Sequence, residues 1–159
     1  MTTMNRQRIV KLDALPWNDI QPLWNESRAE GISFVTTLLD EYRSGRNRFD
    51  QPGEALFAIY RNAKLVAVGG LNRDPYLPSL ENGAAVGRVR HLYVLREVRR
   101  QGIGRSLMTQ IIAVARGEFH LLTLRTVDDG ADRFYCSLGF VTTPALPHAS
   151  HHLTLLNAG

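Results

Sequence analysis

A run of arginines and glycines, Arg99-Arg100-Gln101-Gly102-Ile103-Gly104-Arg105, has the residue types and spacing of an anion-binding loop. Apolar residues recur at helical spacing after it and predict a helix from about Gly102 to Arg116. The predicted start of this helix is basic and carries no acidic residue, although helix N-termini disfavour cations. An anion held by the first amides would reverse that penalty. The loop is therefore predicted to bind phosphate.

Two commoner phosphate-binding motifs do not match this loop. A dinucleotide fingerprint requires G-x-G-x-x-G, and Leu107 takes the place of its third glycine. A nucleotide-triphosphate loop requires G-x-x-x-x-G-K-[ST], and no lysine stands at that distance. The pattern that remains is R-x-x-G-x-G. Its alternative interpretation is a basic surface turn whose glycines only permit a tight bend.

Length and composition indicate one domain with a sizeable core. The chain has 159 residues, of which 44% are hydrophobic. Its apolar runs, such as Leu65 to Val68, are too short to cross a bilayer, and the segment 1–8 lacks the apolar core of a signal peptide. We therefore expect a cytoplasmic protein that does not bind a membrane. The single cysteine, Cys136, fits a reducing compartment and lies in no Cys-His signature.

The formal net charge of +4 raises the question of nucleic-acid binding. Acidic and basic residues alternate along most of the chain, and the segment 96–105 alone concentrates positive charge. No aromatic-rich platform for single strands accompanies it. One basic loop suits a small polyanionic ligand better than a long phosphate backbone, so no nucleic-acid partner is expected.

The elements that position this loop are predicted from periodicity and turn residues. Strands are predicted over 7–13, 54–60, 64–71, 87–95, 120–126, 140–143 and 151–156, and helices over 16–30, 33–44, 102–116 and 129–138. Phe34, Leu38 and Leu39 are predicted to share the apolar side of the second helix. A proline-containing loop is predicted over 72–87. This order of elements indicates a mixed sheet with helices on both faces.

Three motifs follow one another: L-Y-V at Leu92 to Val94, R-R-Q-G-I-G at Arg99 to Gly104, and A-x-x-F-Y-x-x-L-G-F at Ala131 to Phe140. Their order and spacing resemble the GNAT superfamily of N-acetyltransferases, as does the element order over residues 7–156. The resemblance implies an α/β (α+β) fold of three layers. Its central sheet would be mixed, mostly antiparallel and twisted, with about seven strands and helices on both faces. One GNAT-type acyltransferase domain would span residues 1–159.

The resemblance also implies acyl transfer from acetyl-CoA, or another acyl-CoA, to an amine of a small molecule, peptide or protein. CoA carries a diphosphate, which agrees with the anion expected at the basic loop. No metal is expected. A non-catalytic acyl-CoA-binding sensor of the same fold is the alternative function. The implied donor-binding residues are Leu92, Tyr93 and Val94 for the pantetheine arm, and Arg99, Arg100, Gln101, Gly102, Ile103, Gly104 and Arg105 around the diphosphate.

Tyr135 matches the family's tyrosine that protonates the departing CoA thiolate. A phenol with a pKa of about 10 can deliver a proton to a thiolate whose pKa is about 8.5 if the site holds it close to sulfur. The alternative interpretation is an aromatic core patch of Phe134, Tyr135 and Phe140, with the tyrosine hydroxyl bound to backbone. Tyr135 is the residue predicted to be catalytic.

Many family members carry an acidic general base four positions before the leucine of L-Y-V, and here that position is Arg88. Arginine accepts no proton at working pH, so the candidates become Glu81, His91, His120 or ordered water. A low-pKa acceptor is then easier to use: deprotonation at pH 7 costs about 1 kcal/mol for a peptide α-amine and about 4.6 kcal/mol for an alkylamine. Alternatively, Arg88 and Arg90, on one face by strand alternation, bind an acidic group of the acceptor.

Two further sets of residues are weaker candidates. Trp17, Trp24 and Phe34 lie in the two early helices, which in this family form one side of the acceptor cleft, and most of them are predicted to be core. The histidines within 148–152 invite a metal, but neighbouring strand positions point to opposite faces, and no acid or cysteine adjoins them. The sequence leaves open the acceptor's identity and the oligomeric state, a homodimer included.

Overall fold

The computed structural model of the protein describes residues 6–155, which form one sheet and four α-helices. In chain order the elements are β1 (Gln7–Lys11), α1 (Gln21–Ala29), α2 (Phe34–Ser44), β2 (Ala55–Arg61), β3 (Lys64–Arg73), β4 (Val86–Val94), α3 (Ile103–Ala115), β5 (Leu121–Leu124), α4 (Asp129–Ser137), β6 (Val141–Thr142) and β7 (His151–Thr154). The predicted order of strands and helices is confirmed. One turn of 3-10 helix, Arg96–Val98, precedes α3.

The first helix is shorter than predicted. Residues 17–20 form a turn, in which the amide of Ile20 donates to the carbonyl of Pro16 at 3.0 Å. The α-helix itself begins at Gln21, and Pro22 takes the early helical position at which a missing N–H costs nothing. Pro16 therefore opens a turn that leads into α1 rather than the helix itself.

The predicted loop over 72–87 and the predicted final strand also have different bounds. β3 continues to Arg73 and β4 begins at Val86, which shortens the loop to residues 74–85. The final strand ends at Thr154, and Leu156, its predicted last residue, lies outside the described residues. The shorter loop leaves Arg88 well inside β4.

The seven strands form a sheet in the order β1-β2-β3-β4-β5-β7-β6, and every neighbouring pair is antiparallel except β4 and β5. A Cβ placed on Gly69 of β3 would lie 3.1 Å from Ile111 of α3. One placed on the next residue, Gly70, would lie against Phe49, on the face where α2 packs on β4. Helices thus cover both faces, as predicted, because adjacent strand residues point to opposite sides.

β4 and β5 separate soon after they meet. Their parallel pairing covers only Val86 to Arg88, so no other described strand pairs with the later residues of β4 along that edge. A bulge at His91 and Leu92, opposite the single residue Gly69, bends β4 further on, and His91 has a φ of 61°. The separation leaves a gap between the carboxyl-terminal parts of two parallel strands.

The apolar faces predicted for the helices form the core, with one exception. Leu38 and Leu39 of α2 are buried, but Phe34 is 48% exposed because it is the first residue of α2, beside the gap between β4 and β5. No helix in residues 6–155 is long and apolar enough to span a membrane. The buried positions of α3 are Ile103, Leu107, Met108, Ile111, Ile112 and Ala115, as the periodicity predicts.

Candidate active site

A cavity of about 310 Å3 occupies the gap between β4 and β5. Residues of both strands, the start of α2 and one side of α4 line it. Three arginines belong to this lining, namely Arg88, Arg90 and Arg125. No aspartate or glutamate is among the described residues that line it. The cavity therefore combines apolar walls with positive charge.

Tyr135 lines the cavity from α4, whose start is fixed by Asp128: its carboxylate accepts a hydrogen bond from the amide of Ala131 at 2.7 Å. The ring of Tyr135 packs edge-on against Phe134 and Phe140, at 5.1 and 5.7 Å between centroids. Its hydroxyl makes no hydrogen bond with the described residues, so the aromatic patch exists without the backbone bond of the alternative interpretation. Burial raises the pKa of Tyr135 well above its ordinary value. The phenol stays protonated at neutral pH.

The strand segment predicted to bind the pantetheine arm lies beyond the pairing of β4 with β5. Tyr93 and Val94 pair with β3 on one edge, and the opposite edge borders the gap. Leu92 is among the residues that line the cavity. The carbonyl of Val94 accepts a hydrogen bond from Nε of Arg99 at 2.9 Å, which ties the loop to the end of the strand.

The side chain of Tyr93 is committed to α1. Its hydroxyl donates to Oε2 of Glu26 at 2.7 Å and also contacts Glu30. Glu30 accepts a further hydrogen bond from Arg99 at 2.9 Å and lies 3.4 Å from Arg96. Arg99 and then Tyr93 lower the pKa of Glu30 to about 2. Burial, together with the two carboxylates, raises the pKa of Tyr93. Only the backbone of Tyr93 remains available to a ligand.

The start of α3 has the geometry predicted for an anion site. Gly102 precedes the helix with a φ of 79°, and a left-handed residue followed by right-handed ones forms an amide nest. No side chain caps this end, and its first turn holds no acidic residue. The amides of Ile103, Gly104 and Arg105 have no intrahelical acceptor at these positions. The side chain of Gln101 is held by Arg61, whose Nη1 donates to it at 2.5 Å.

The three arginines at this helix start differ in their pairing. Arg99 forms a salt bridge with Glu30 at 2.9 Å, so its charge is largely neutralised before any ligand binds. Arg105 donates to the hydroxyl of Ser137 at 3.2 Å. Arg100 is exposed and forms no ion pair in the described part of the chain. The uncompensated positive charge is therefore that of Arg100 and Arg105.

Arg88, at the position where the resemblance predicts an acid, is 7% exposed in the cavity wall. Its Nη2 donates to the carbonyl of His148 at 2.6 Å, and its guanidinium lies over the ring of Tyr76. Its Nη1 lies 3.7 Å from Oδ2 of Asp74 and makes no hydrogen bond with the described residues. Burial lowers the pKa of Arg88, but an arginine remains charged at neutral pH.

Asp74, the carboxylate beside Arg88, is fully engaged by other groups. The hydroxyl of Thr123 donates to Oδ2 at 2.6 Å. The amides of Tyr76 and Leu77 donate to Oδ1 at 2.9 and 3.3 Å. Asp74 is 1% exposed and does not line the cavity. These bonds make it an anchor between β5 and the loop at 74–85, not a base within reach of a ligand.

Of the other candidates for a general base, His91 lines the cavity but is a weak base, and two lie elsewhere. Nδ1 of His91 lies 3.1 Å from the carbonyl oxygen of Phe34, and the ring is buried. Burial, and then the charge of Arg90, lowers the pKa of His91 to about 3. Its imidazole is therefore neutral and weakly basic at pH 7. Glu81 and His120 are exposed and do not line the cavity. Of the candidates predicted for the general base, only ordered water is left.

The pairing of arginines across the cavity differs from the prediction. Arg90 forms a salt bridge with Glu41 of α2 at 2.7 Å, so it is not free to pair with an acceptor as predicted together with Arg88. Arg125, just after β5, is exposed in the cavity lining and forms no ion pair with the described residues. Its place after the strand parallel to β4 was the available signal, since ligands bind beyond the carboxyl ends of parallel strands.

A second, more open cavity of about 620 Å3 adjoins the first and shares Thr37 and Arg90 with it. Neither Trp17 nor Trp24 lines either cavity, whereas Phe34 lines the first. Trp24 is partly buried and donates to the hydroxyl of Thr36 at 3.0 Å. Trp17 and Phe34 are 37% and 48% exposed, so the expectation that most of these aromatic residues are core is wrong.

One cluster was not predicted, because His151 of β7 is distant in the chain from Asp132 and Cys136 of α4. Asp132, Cys136 and His151 have potential metal-ligand atoms within 4.8 Å of one another. They are already hydrogen-bonded: Nε2 of His151 lies 2.6 Å from Oδ1 of Asp132, and Sγ of Cys136 lies 3.6 Å from it. Burial, together with Asp132, raises the pKa of Cys136. The sulfur is therefore a thiol at neutral pH, which disfavours a nucleophilic role.

The sequence profile described as the acetyltransferase (GNAT) family matches residues 17–140. A candidate acetyltransferase from Exiguobacterium sp. 255-15 is 29% identical, with a TM-score of 0.79 over 94% of this chain and 93% of that one. Glucosamine-6-phosphate N-acetyltransferase from Arabidopsis thaliana is 15% identical, with a TM-score of 0.64 over 89% and 96%. A mutant AtaT toxin bound to the C-terminus of the antitoxin AtaR and acetyl-CoA is 18% identical, with a TM-score of 0.68 over 93% and 92%. These last two similarities concern the fold alone. No curated protein sequence matches the chain.

Proposed function

Since this chain belongs to the acetyltransferase (GNAT) family, we propose that it transfers acetyl from acetyl-CoA directly to a primary amine of a small molecule, peptide or protein. The proposal rests above all on the cavity between β4 and β5. Tyr135 lines this cavity, and the strand on its other side leads through the basic loop to the start of α3. We infer that these elements form one surface with places for a diphosphate, an extended arm and a thioester.

We place the donor along this surface. The amides of Ile103, Gly104 and Arg105 bind the diphosphate, and Gly102 provides the left-handed turn that leaves them open. Arg100 and Arg105 add counter-charge, Gln101 lies in the same loop, and Arg99 contributes less because Glu30 neutralises it. The pantetheine arm lies along the free edge of β4 at Leu92, Tyr93 and Val94. The thioester then lies in the cavity beside Tyr135.

The chemistry assigned to the site is attack of a neutral amine on the thioester carbonyl carbon. A C–N bond forms, the tetrahedral intermediate collapses, and the C–S bond breaks. The phenol of Tyr135 donates a hydrogen bond and then its proton to the departing sulfur. The ammonium nitrogen loses its proton to water, and the phenolate takes one back. Because burial raises the pKa of Tyr135, the phenol is protonated at the start of each cycle.

The amine must arrive neutral, since no carboxylate is available among the described residues of the cavity lining. Deprotonation at pH 7 costs about 1 kcal/mol for a peptide α-amine and about 4.6 kcal/mol for an alkylamine. Water then suffices as the proton acceptor for an amine of low pKa. We therefore expect low-pKa amines to be the better acceptors.

Calorimetric titration with acetyl-CoA, paired with an assay of CoA release over an amine panel, tests this function. Saturable binding and amine-dependent CoA release are expected. The double variant Arg100→Gln/Arg105→Gln should weaken acetyl-CoA binding, whereas Arg116→Gln, an exposed arginine at the other end of α3, should not. Absence of acetyl-CoA binding would overturn the proposal.

A second candidate function is a non-catalytic acyl-CoA sensor. The observation in its favour is Arg88, a buried cation at the position where many family members hold their base. A sensor would bind acetyl-CoA saturably and release no CoA with any amine. Amine-dependent turnover that is lost in a Tyr135 variant would exclude it.

A further inference from the structure

The charges around the first cavity are incompletely balanced. Glu41 pairs with Arg90 at 2.7 Å and Asp74 with Arg88 at 3.7 Å, which leaves Arg125 as the lining arginine without an ion pair among the described residues. Arg88 has one carboxylate nearby, Asp74, at 3.7 Å and without a hydrogen bond between them. Arg125 forms no salt bridge with the described residues. The wall therefore presents excess positive charge where the transfer would take place.

Arg88 has a donor to spare in a buried position. Its side chain is 8% exposed, and Nη1 has no hydrogen-bond partner among the described residues. A buried N–H group without an acceptor costs free energy that an incoming acceptor atom recovers. A guanidinium binds carboxylate and phosphate oxygens more strongly than neutral acceptors, because the hydrogen bonds are charge-assisted.

We propose that Arg88 and Arg125 bind an anionic group of the acyl acceptor, so that the substrate is an amine that also carries a carboxylate or phosphate. This inference rests on the proposed transferase function and names its substrate class. Arg90, held by Glu41, completes the positive wall but does not make the contact. The buried guanidinium of Arg88 hydrogen-bonds the anionic group of the acceptor. The exposed Arg125 adds positive charge beside it.

The same arrangement compensates for the absent general base. The unpaired charge of Arg125 disfavours the ammonium form of a nearby amine and lowers the amine's pKa. The acidic group of the acceptor, once bound, offsets part of the excess charge and keeps the amine in place. At the position of the family's acid, this protein has an arginine. The positive electrostatic potential of the cavity, and not a protein base, would therefore favour the neutral amine.

A purely structural role for Arg88 is the competing explanation. Its Nη2 donates to the carbonyl of His148 at 2.6 Å and so fastens the chain between β6 and β7 to β4. Arg125 has no such bond: none of the hydrogen bonds of the described side chains involves its guanidinium. An effect of Arg125 on acceptor choice therefore separates recognition from folding.

Matched amines test the inference through steady-state CoA release. The pairs are β-alanine with propylamine, 3-aminopropyl phosphate with 3-aminopropanol, and the peptide amide Ala-Asp-Ala with Ala-Asn-Ala. The acid-bearing member of at least one pair should show kcat/KM about tenfold higher than its neutral partner, mainly through KM. Which pair shows this difference in kcat/KM tells whether the site prefers a carboxylate or a phosphate on the acceptor.

Three variants complete the experiment. Arg88→Gln and Arg125→Gln should each reduce the preference for the acid-bearing amine at least threefold, whereas Arg116→Gln should leave it unchanged. Arg125→Gln keeps the test valid if Arg88→Gln does not fold. The inference would be overturned if, in every acetylated pair, kcat/KM of the neutral amine equalled or exceeded that of its acid-bearing partner. An unchanged preference for the acid-bearing amine in Arg125→Gln would also overturn it. No CoA release with any amine would contradict the transferase itself, and the inference with it.

Discussion

Nε2 of His151 lies 2.6 Å from Oδ1 of Asp132, and this contact fastens α4, the helix that carries Tyr135, to β7. His151 is 3% exposed, its ring centroid is 6.3 Å from that of Tyr135, and Oγ of Ser150 lies 2.7 Å from its other nitrogen. We therefore expect the Asp132–His151 contact to act on the proposed chemistry through the position of Tyr135. We propose that Asp132 is a positioning residue.

Asp132→Ala should lower kcat about tenfold while leaving the acetyl-CoA Kd within about twofold, because it loosens α4 without touching the diphosphate site. Asp132→Asn keeps an oxygen that accepts a hydrogen bond from His151, and should recover most of the rate. Asp129→Ala, in the same helix and away from His151, is the control. A kcat unchanged in Asp132→Ala would show that the contact does not position the phenol.

The Glu30 carboxylate should make the fold sensitive to acid. Its pKa is about 2, below the ordinary 4.5, so its stabilising contribution is complete above pH 4.5 and is lost as the pH falls toward 2. Glu30→Gln should lower the free energy of unfolding at pH 7 by about 1 kcal/mol. The same substitution should also reduce the fall in the free energy of unfolding between pH 4.5 and 2. Urea unfolding at pH 7, 4 and 3 measures both effects, with Glu97→Gln as the control. An identical acid slope in Glu30→Gln would contradict the assignment.

The arginines at the start of α3 should separate into two classes. Arg100→Gln and Arg105→Gln should each weaken acetyl-CoA binding about fivefold and reduce its salt dependence, since each loses about 1 kcal/mol of charge-assisted contact. Arg99→Gln should weaken binding less and lower Tm more, because its partner is Glu30. Calorimetry and thermal melts distinguish the classes. If Arg99→Gln lost more acetyl-CoA affinity than Arg100→Gln and Arg105→Gln, this division into two classes would be wrong.

His91 should not set the pH dependence of catalysis. Burial and Arg90 lower its pKa to about 3, so kcat/KM should rise toward the pKa of the amine without a break near the ordinary histidine value of about 6.5. His91→Asn preserves the left-handed backbone at φ 61° better than other polar residues and should keep the profile's shape. An acid limb near pH 6.5 that disappears in this variant would make His91 the base.

Sequence periodicity and local motifs predicted those features that depend on neighbouring residues. The helix after Gly102 follows from the helical spacing of its apolar residues. The order of strands and helices follows from the same signals. The role of Tyr135 stays a prediction, although its place in the cavity agrees with it.

The features that sequence reasoning missed depend on pairing between distant segments. Nothing local indicates that Glu30 neutralises Arg99, or that Glu41 takes Arg90 out of the cavity's free charge. The exposure of Phe34 follows from where β4 and β5 separate, which no helical pattern encodes. The position of Arg125 at the cavity depends on the parallel pairing of β5, which precedes it, with β4.

Tyr135→Phe removes the proposed general acid, and its effect is measured as CoA release at saturating acetyl-CoA with the best amine of the panel. The hydroxyl makes no hydrogen bond with the described residues, so its loss should leave the fold and the acetyl-CoA Kd within about twofold of the parent. We expect kcat to fall about a hundredfold, the loss typical of a general acid. Equal rates in the two proteins would contradict it and remove Tyr135 from the mechanism.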